Sequence, residues 1–590
     1  MLSLYLTAWF VLATPSPGQD WTTAFEKSGG VRTPDYAETI AYCRRLADAS
    51  PWVHYTTFGT SPQGRDLALL VCDKDGHKTP EEVRRSRSDN VVVLIQAGIH
   101  AGEIDGKDAG LMLIRDIAIH KTRAALLDHV TILFMPIFNV DGHERTSPYN
   151  RANQNGPEET GWRTTARGLN LNRDYLKADA AEMQDWLRLY TRWLPELLVD
   201  CHVTDGADYQ YVVTYAMENL GSMDAQLTQW INVRFLGPLT DRMAAAGRPI
   251  IRYNSYRAHN EPTSGIVCWA SPPRFSTGYA AIQNRPAILI ETHMFKDYKT
   301  RVEGTYATLE HTLEILNEEH ELVRKLIRDA DARTASPELR AAPFPLSFRS
   351  TPDSVMIDFL GYEYEVVESD LTGGKWHRFS DRPVTMHIPM FNRLEAEEVV
   401  TLPEAYVVPA EWKDVIDRLA LHGVKIERLR SDCDIEVGSW RLDEPDWPDS
   451  PHEGRFPVTF KSREITEKRS YPAGSAVVDM NQRAARVAAH ALEPDGPDSF
   501  LQWGFFDSIF EQKEYIEPYV LEELARRMLA EDPDLRRELE ALKASDKEFA
   551  RSPGRIRHWL YQRSPYWDDR IGVYPVGKIV DRQSLKKLPR

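Results

Sequence analysis

Four apolar runs constrain this chain more than anything else in it. They are "NVVVLIQAGIH", "VTILFMPIFNVDG", "PELLVDCHVTDG" and "RPAILIETHMF", all in the first half, and each ends in polar residues. Their near-continuous Val, Ile and Leu content fits strands covered on both faces. The stretches "GKDAGLMLIRDIAIHK" and "AAEMQDWLRLYTRWL" between them carry helical periodicity. Strands alternating with helices predict an α/β domain with a mixed, largely parallel central sheet flanked by helices.

In such sheets, ligands bind in the crevice beyond the carboxyl ends of the strands. His100 and Glu103 follow the first run, Asn139, Asp141 and Gly142 the second, His202 follows "LLVD", and Glu291 follows "AILI". Four strands therefore deliver polar side chains to one rim. Two imidazoles and a carboxylate suit Zn²⁺ with a fourth position left open, so His100, Glu103 and His202 are the predicted metal ligands. The tight turn from Gly98 to Gly102 lets the first two meet one ion. A further carboxylate is needed as general base, and Glu291 is the candidate. A second H-x-x-E, "HTLE" at His311 to Glu314, lies in a charged helix and reads as a solvated face. His293, two residues beyond Glu291, reads as a neighbour on the same strand face. Cys201 reads as a small buried residue.

Other chemistries lack their signatures. The chain has no H-E-x-x-H, no G-x-S-x-G, no P-loop, no G-x-G-x-x-G and no C-x-x-C. Five widely spaced cysteines do not make a disulfide framework. A formal net charge of −16 argues against nucleic acid as a partner.

The segment "NVDGHERTSPYNRANQNGPEETGWRTTARGLNLNRDY" adds an ordered set of motifs. "HAGE", "NVDG", "GWR", "NLNRDY", "DCHVTDG" and "ILIETH" occur in the order found in the M14 zinc carboxypeptidases, the family of pancreatic carboxypeptidase A, which this chain resembles over roughly residues 34–320. The resemblance implies one Zn²⁺ per chain on His100, Glu103 and His202. It implies Glu291 as the base that activates the attacking water and then protonates the leaving amine. Arg163 looks like the arginine that stabilises the oxyanion, with Arg167 its competitor. Asn172 and Arg173 look like the pair that grips the substrate's terminal carboxylate, a task suited to arginine's two-pronged geometry. The implied substrates are the C-termini of peptides or proteins.

The chain departs from that family at two places. The pancreatic enzymes carry a tyrosine about twenty residues before the base. Trp269 lies near that spacing here, and the nearest tyrosines are Tyr256 and Tyr279. Where those enzymes have an Asp orienting a zinc histidine, this chain has Asn170. Two other functions stay open on sequence alone: a zinc amidohydrolase or deacylase of the aspartoacylase kind acting on small N-acyl amino acids, and a non-catalytic binding protein that retains the fold. Arg274, in the loop before Glu291, is a candidate for favouring acidic end residues.

At 590 residues the chain exceeds one typical domain. Residues 1–19 read as a signal peptide, with an apolar run from Leu2 to Ala13 too short to span a bilayer. That predicts a secreted or periplasmic protein, or a cytoplasmic one if the run is not a signal. No later run reaches membrane-spanning length. Residues 20–335 form the expected catalytic domain. The shift in composition at "RTASPELRAAPFPLS" marks a boundary, and residues 345–590 read as a mixed α/β region of one or two parts. No internal repeat is visible. Nothing in that second half gathers His, Cys or carboxylates at ligand spacing.

Overall fold

The computed structural model describes residues 20–86 and 90–590. The first 19 residues, on which the signal-peptide reading rests, lie outside that range.

The apolar runs form strands of one eight-stranded sheet. Its strands in chain order are β1 (Val53–Thr60), β2 (Asp66–Cys72), β3 (Val91–Ala97), β4 (Val130–Met135), β5 (Leu197–Thr204), β6 (Val213–Met217), β7 (Ile250–Arg252) and, beyond the short pocket strand β8 (Ile266–Val267), β9 (Ala287–His293). Across the sheet they run β1-β2-β4-β3-β5-β9-β6-β7. The middle four, β4, β3, β5 and β9, are parallel. The hairpin β1/β2 joins one side antiparallel, and β6 joins β9 antiparallel on the other. β3, β4 and β5 are buried at every position, as expected for strands covered on both faces.

Helices supply the cover. Asp35 caps the helix Tyr36–Ala49 through a reciprocal capping box with Glu38. The helix Asp105–Ala118 follows β3 and is buried along nearly its whole length. It lies so close to the sheet that a Cβ at Gly106 would meet the Cys201 side chain at 2.4 Å. The helix Ala181–Trp193 precedes β5, and a 37-residue helix, Tyr298–Thr334, follows β9.

Beyond residue 335 a second, antiparallel sheet of six strands forms. Its centre is Ala405–Val408 and Gly577–Ile579, and a long hairpin, Cys433–Asp446 with Thr459–Tyr471, extends one side. Another long hairpin, Val355–Glu368 with Lys375–Phe391, pairs in parallel with β8. Four helices between Pro518 and Gln562 pack on one another around a small core of their own. The rest of this region shares a hydrophobic core with the first sheet. One continuous cluster runs from Leu69 through Trp186 and Tyr279 to Tyr406, Phe500 and Val576. His422 crosses that contact, with Nδ1 2.9 Å from the Tyr279 hydroxyl and Nε2 2.8 Å from the Leu176 carbonyl oxygen. Among the described residues, no helix is long and apolar enough to cross a membrane.

Candidate metal centre and substrate cavity

The chain leaves β3 through Gly98, whose φ of +66° favours glycine. That bend puts His100 and Glu103 beyond the strand end, Glu103 just before the helix Asp105–Ala118. β5 delivers His202, directly across from Glu291 on β9. The ligand atoms of His100, Glu103 and His202 all lie within 4.8 Å of one another. Glu103 Oε2 is 3.1 Å from His100 Nδ1 and 2.9 Å from His202 Nδ1, and the two imidazole nitrogens are 3.2 Å apart. All three residues are buried.

Two ring nitrogens and a buried carboxylate oxygen converging at those distances form a set that one cation can satisfy. The titration behaviour points the same way. Burial alone would pull His202 down, but Asp200, Glu103 and Glu291 hold it well above the ordinary histidine range. Burial lowers His100 to about 4 against the pull of Glu103. Burial alone would raise Glu103, yet His100, Arg151 and His202 keep it well below the carboxylate range. A dication satisfies all three donors at once, and this donor set suits zinc.

The outward nitrogens are also held. His100 Nε2 lies 3.2 Å from Asn170 Oδ1, so Asn170 occupies the orienting position despite carrying no charge. His202 Nε2 lies 3.1 Å from Asp200 Oδ2, an ion-pair distance without hydrogen-bond alignment, and Asp200 is fully buried. The carboxylate that backs a candidate ligand is therefore under His202. Sequence reasoning passed over it, although "DCH" places Asp200 and His202 on one strand face.

A cavity of about 610 Å³ opens beside this cluster, lined by His100, Glu103 and His202, and by Arg163, Asn172, Arg173 and Glu291. Burial pushes the Glu291 carboxyl up to about 8; His202 pulls it down, and Glu103, Asp200 and Asp205 push it further up. Its possible structural partner Arg285 is taken by Asp331 at 3.0 Å. Arg163 Nη1 lies 3.3 Å from Glu103 Oε1, while Arg167 is not among the residues lining the cavity. Arg151, in a loop with no sequence signature, pairs with the same oxygen at 2.8 Å. Arg173 donates to the Asn172 carbonyl at 2.7 Å, and its guanidinium lies 4.4 Å from the centre of the Phe275 ring.

Other sequence candidates fall elsewhere. His293 stacks on Tyr209 and pairs with Asp208 at 2.8 Å. Tyr279 is fully buried against His422, and Tyr256 packs by Phe359. Neither lines the cavity; Trp269 and Tyr253 do. The Tyr253 phenol is raised chiefly by burial and then by the charge of Glu291. Arg274 is turned away, its Nε 2.8 Å from Asp498 Oδ1. The region after residue 335 touches this site only at its edges. The Cys268 amide donates to the Phe391 carbonyl at 2.9 Å, and Asn170 Nδ2 reaches Glu453 at 3.5 Å.

A buried two-histidine, one-carboxylate cluster at the rim of a largely parallel sheet, open to a cavity holding arginines and a carboxylate, has the chemistry of a metal-dependent hydrolase. The family model for zinc carboxypeptidases, M14, matches residues 39–187. The chain is 24% identical over 514 residues to carboxypeptidase 2 of Trichophyton rubrum, covering 83% of this chain and 87% of that one. It is 22% identical over 509 residues to carboxypeptidase 2 of Trichophyton equinum, at 81% and 85% coverage. Among solved structures, it resembles a metallo-carboxypeptidase from Burkholderia cenocepacia at 17% identity, with a TM-score of 0.36 over 48% of this chain and 69% of that one. Carboxypeptidase A from Helicoverpa armigera gives 15% identity and a TM-score of 0.37, at 51% and 74% coverage. Residues 39–187 thus match the zinc carboxypeptidase model, and the relatives that align over most of the chain are carboxypeptidases; the matched family implies zinc. The deacylase and non-catalytic alternatives are not favoured by these matches.

Proposed function

We propose that the chain releases single residues from the C-termini of peptides and proteins, with one zinc ion held by His100, Glu103 and His202. The observation that carries this reading is the convergence of those three ligand atoms within 4.8 Å of one another, beside a cavity that also holds Glu291. Bound there, zinc supplies a Lewis acid that polarises a carbonyl and acidifies water.

The chain's own residues do the rest. Glu291 takes a proton from the attacking water and passes it to the departing amine. Arg163, partly exposed and only loosely held by Glu103, turns toward the oxygen on which negative charge develops. Arg173 and Asn172 grip the terminal carboxylate. The Asn172 Oδ1 is buried without a partner, and Arg173 makes no ion pair among the described residues, so both have capacity to spare. Asp200 and Asn170 fix the two imidazoles from behind.

The test separates metal from base. Glu291→Gln is expected to keep its zinc, measured by elemental analysis, and to lose roughly 10²–10⁴-fold in turnover. Equal turnover by the variant would overturn the assigned base, and release of internal fragments without single residues would overturn the exopeptidase reading. The proposal includes export directed by residues 1–19, checked by the N-terminal sequence and location of the mature protein.

A further inference from the structure

The cavity has a second end. Along β9, Leu289 lies two residues below Glu291, roughly 7 Å deeper at strand spacing. β6 runs beside it, with Thr214 opposite Glu291 and Ala216 opposite Leu289. The far wall is made by Ala216, Met217, Leu289, Cys268, Ser271 and Arg252. Small side chains at three of these positions leave room for a substrate side chain.

Arg252 is the last residue of β7, beside Tyr215 of β6. Its Nη1 donates to Asn219 Oδ1 at 2.8 Å and its Nη2 to the Met217 carbonyl at 3.2 Å. Both acceptors are neutral. Among the described residues, Arg252 makes no ion pair. A guanidinium offers five donors in a flat fork, so capacity remains for a carboxylate.

The other charged groups nearby are committed. Glu218 is buried, with Oε1 accepting the Leu220 and Ser222 amides at 3.1 and 3.4 Å and Oε2 the Ser271 amide at 2.8 Å. It lines the same cavity and feels the charge of Arg252, but most of its accepting capacity is spent on holding the loop in shape. Arg274 is occupied by Asp498. Arg173 lies at Phe275 in the carboxylate-gripping position assigned above. Of the four arginines lining the cavity, Arg151 and Arg163 reach Glu103, Arg173 is assigned to the main-chain carboxylate, and Arg252 stands at the far wall.

We infer that Arg252 selects substrates whose last residue has an acidic side chain, glutamate or aspartate. This rests on the carboxypeptidase reading and adds the substrate class. A neutral side chain fills the same space but leaves the charge without a partner. A basic one brings like charges together.

Four peptides identical except for a final Glu, Gln, Leu or Lys test the inference with the zinc-loaded enzyme. For the wild type, kcat/KM for Glu is expected to exceed that for Gln by at least about 30-fold, the lower end of what a desolvated charge pair confers. Arg252→Gln is expected to bring that ratio near one, Arg252→Lys to keep part of it, and Arg252→Glu to move the preference to Lys. Ratios within one enzyme do not depend on how much of each variant is active. If the variants do not fold, the wild-type ratio alone decides. Release of Gln, Leu and Lys without preference for Glu overturns this inference and leaves the carboxypeptidase reading standing. An unchanged ratio in Arg252→Gln also overturns it. If no single residue is released from any peptide, both readings fall.

Discussion

Two buried charge clusters, one in each half of the chain, differ in a way that separates a site from a scaffold. In the second half, Lys578 Nζ lies 3.0 and 3.1 Å from the two oxygens of Glu493, and the Tyr406 hydroxyl donates to the same carboxylate. Acid, base and hydroxyl satisfy one another, and nothing further is required. In the first half, His100, Glu103 and His202 are just as buried, but their ligand atoms converge within 4.8 Å of one another with no cationic side chain among the three. Burial is common to both. Ligand geometry suited to a cation belongs to only one.

The largest effect that would break this contrast is at the open cluster. His202→Ala removes one of three donors, and bound zinc and peptide release are both expected to fall by orders of magnitude, with the loss read by elemental analysis. Full metal occupancy in that variant would end the assignment. At the closed cluster, Lys578→Met leaves Glu493 buried without its counter-ion. A stability loss of about 3–5 kcal/mol is expected from chemical denaturation, with zinc stoichiometry unchanged. If Lys578→Met instead lost metal, the two clusters would be coupled and the contrast would fail.

His422 sharpens the comparison because it joins the two halves. It is fully buried, and burial lowers its pKa to about 4, with the Leu176 carbonyl acting in the opposite sense. The unfolded chain takes up this proton near pH 6.5, the folded chain only near 4. The unfolded state therefore binds more protons between those values, and stability falls as pH falls through that window. The slope is about 1.4 kcal/mol per pH unit for this group. His422→Asn is expected to flatten the profile between pH 6.5 and 4 in denaturant titrations; an unaltered slope would mean that the contact titrates elsewhere.

The rim of the sheet was legible because parallel strands send their ends to one edge, so His100, Glu103, His202 and Glu291 could be gathered from order alone. Arg151, Tyr253 and Arg252 were not legible. They come from loops or edge strands without periodicity, and their nearness to the cavity depends on β6 pairing antiparallel with β9, a contact between distant segments. The direction of the substrate pocket follows from that same pairing, which is why the sequence offered Arg274 and not Arg252. The long hairpins were half visible. "PVTMHIPMF" reads as a strand, but the rest of Lys375–Phe391 is charged and largely exposed, so burial imprints no clear alternation on it.

The smallest expected effect concerns which histidine has the charged support. Asp200 is fully buried, and His202 Nε2 is the nitrogen it faces, at 3.1 Å. Desolvating a carboxylate there is costly unless it acts on that nitrogen. By contrast, His100 is backed only by the neutral Asn170. Asp200→Asn keeps the shape and removes the charge, so zinc affinity is expected to drop about 10–100-fold, measured by competition with a chelator. Asn170→Asp is expected to move affinity the other way, by a smaller factor, because His100 already has a hydrogen-bond acceptor and gains only charge. Equal affinities in the wild type and Asp200→Asn would mean that Asp200 serves the strand rather than the ligand. The asymmetry between the two imidazoles would then have no bearing on how tightly the metal is held.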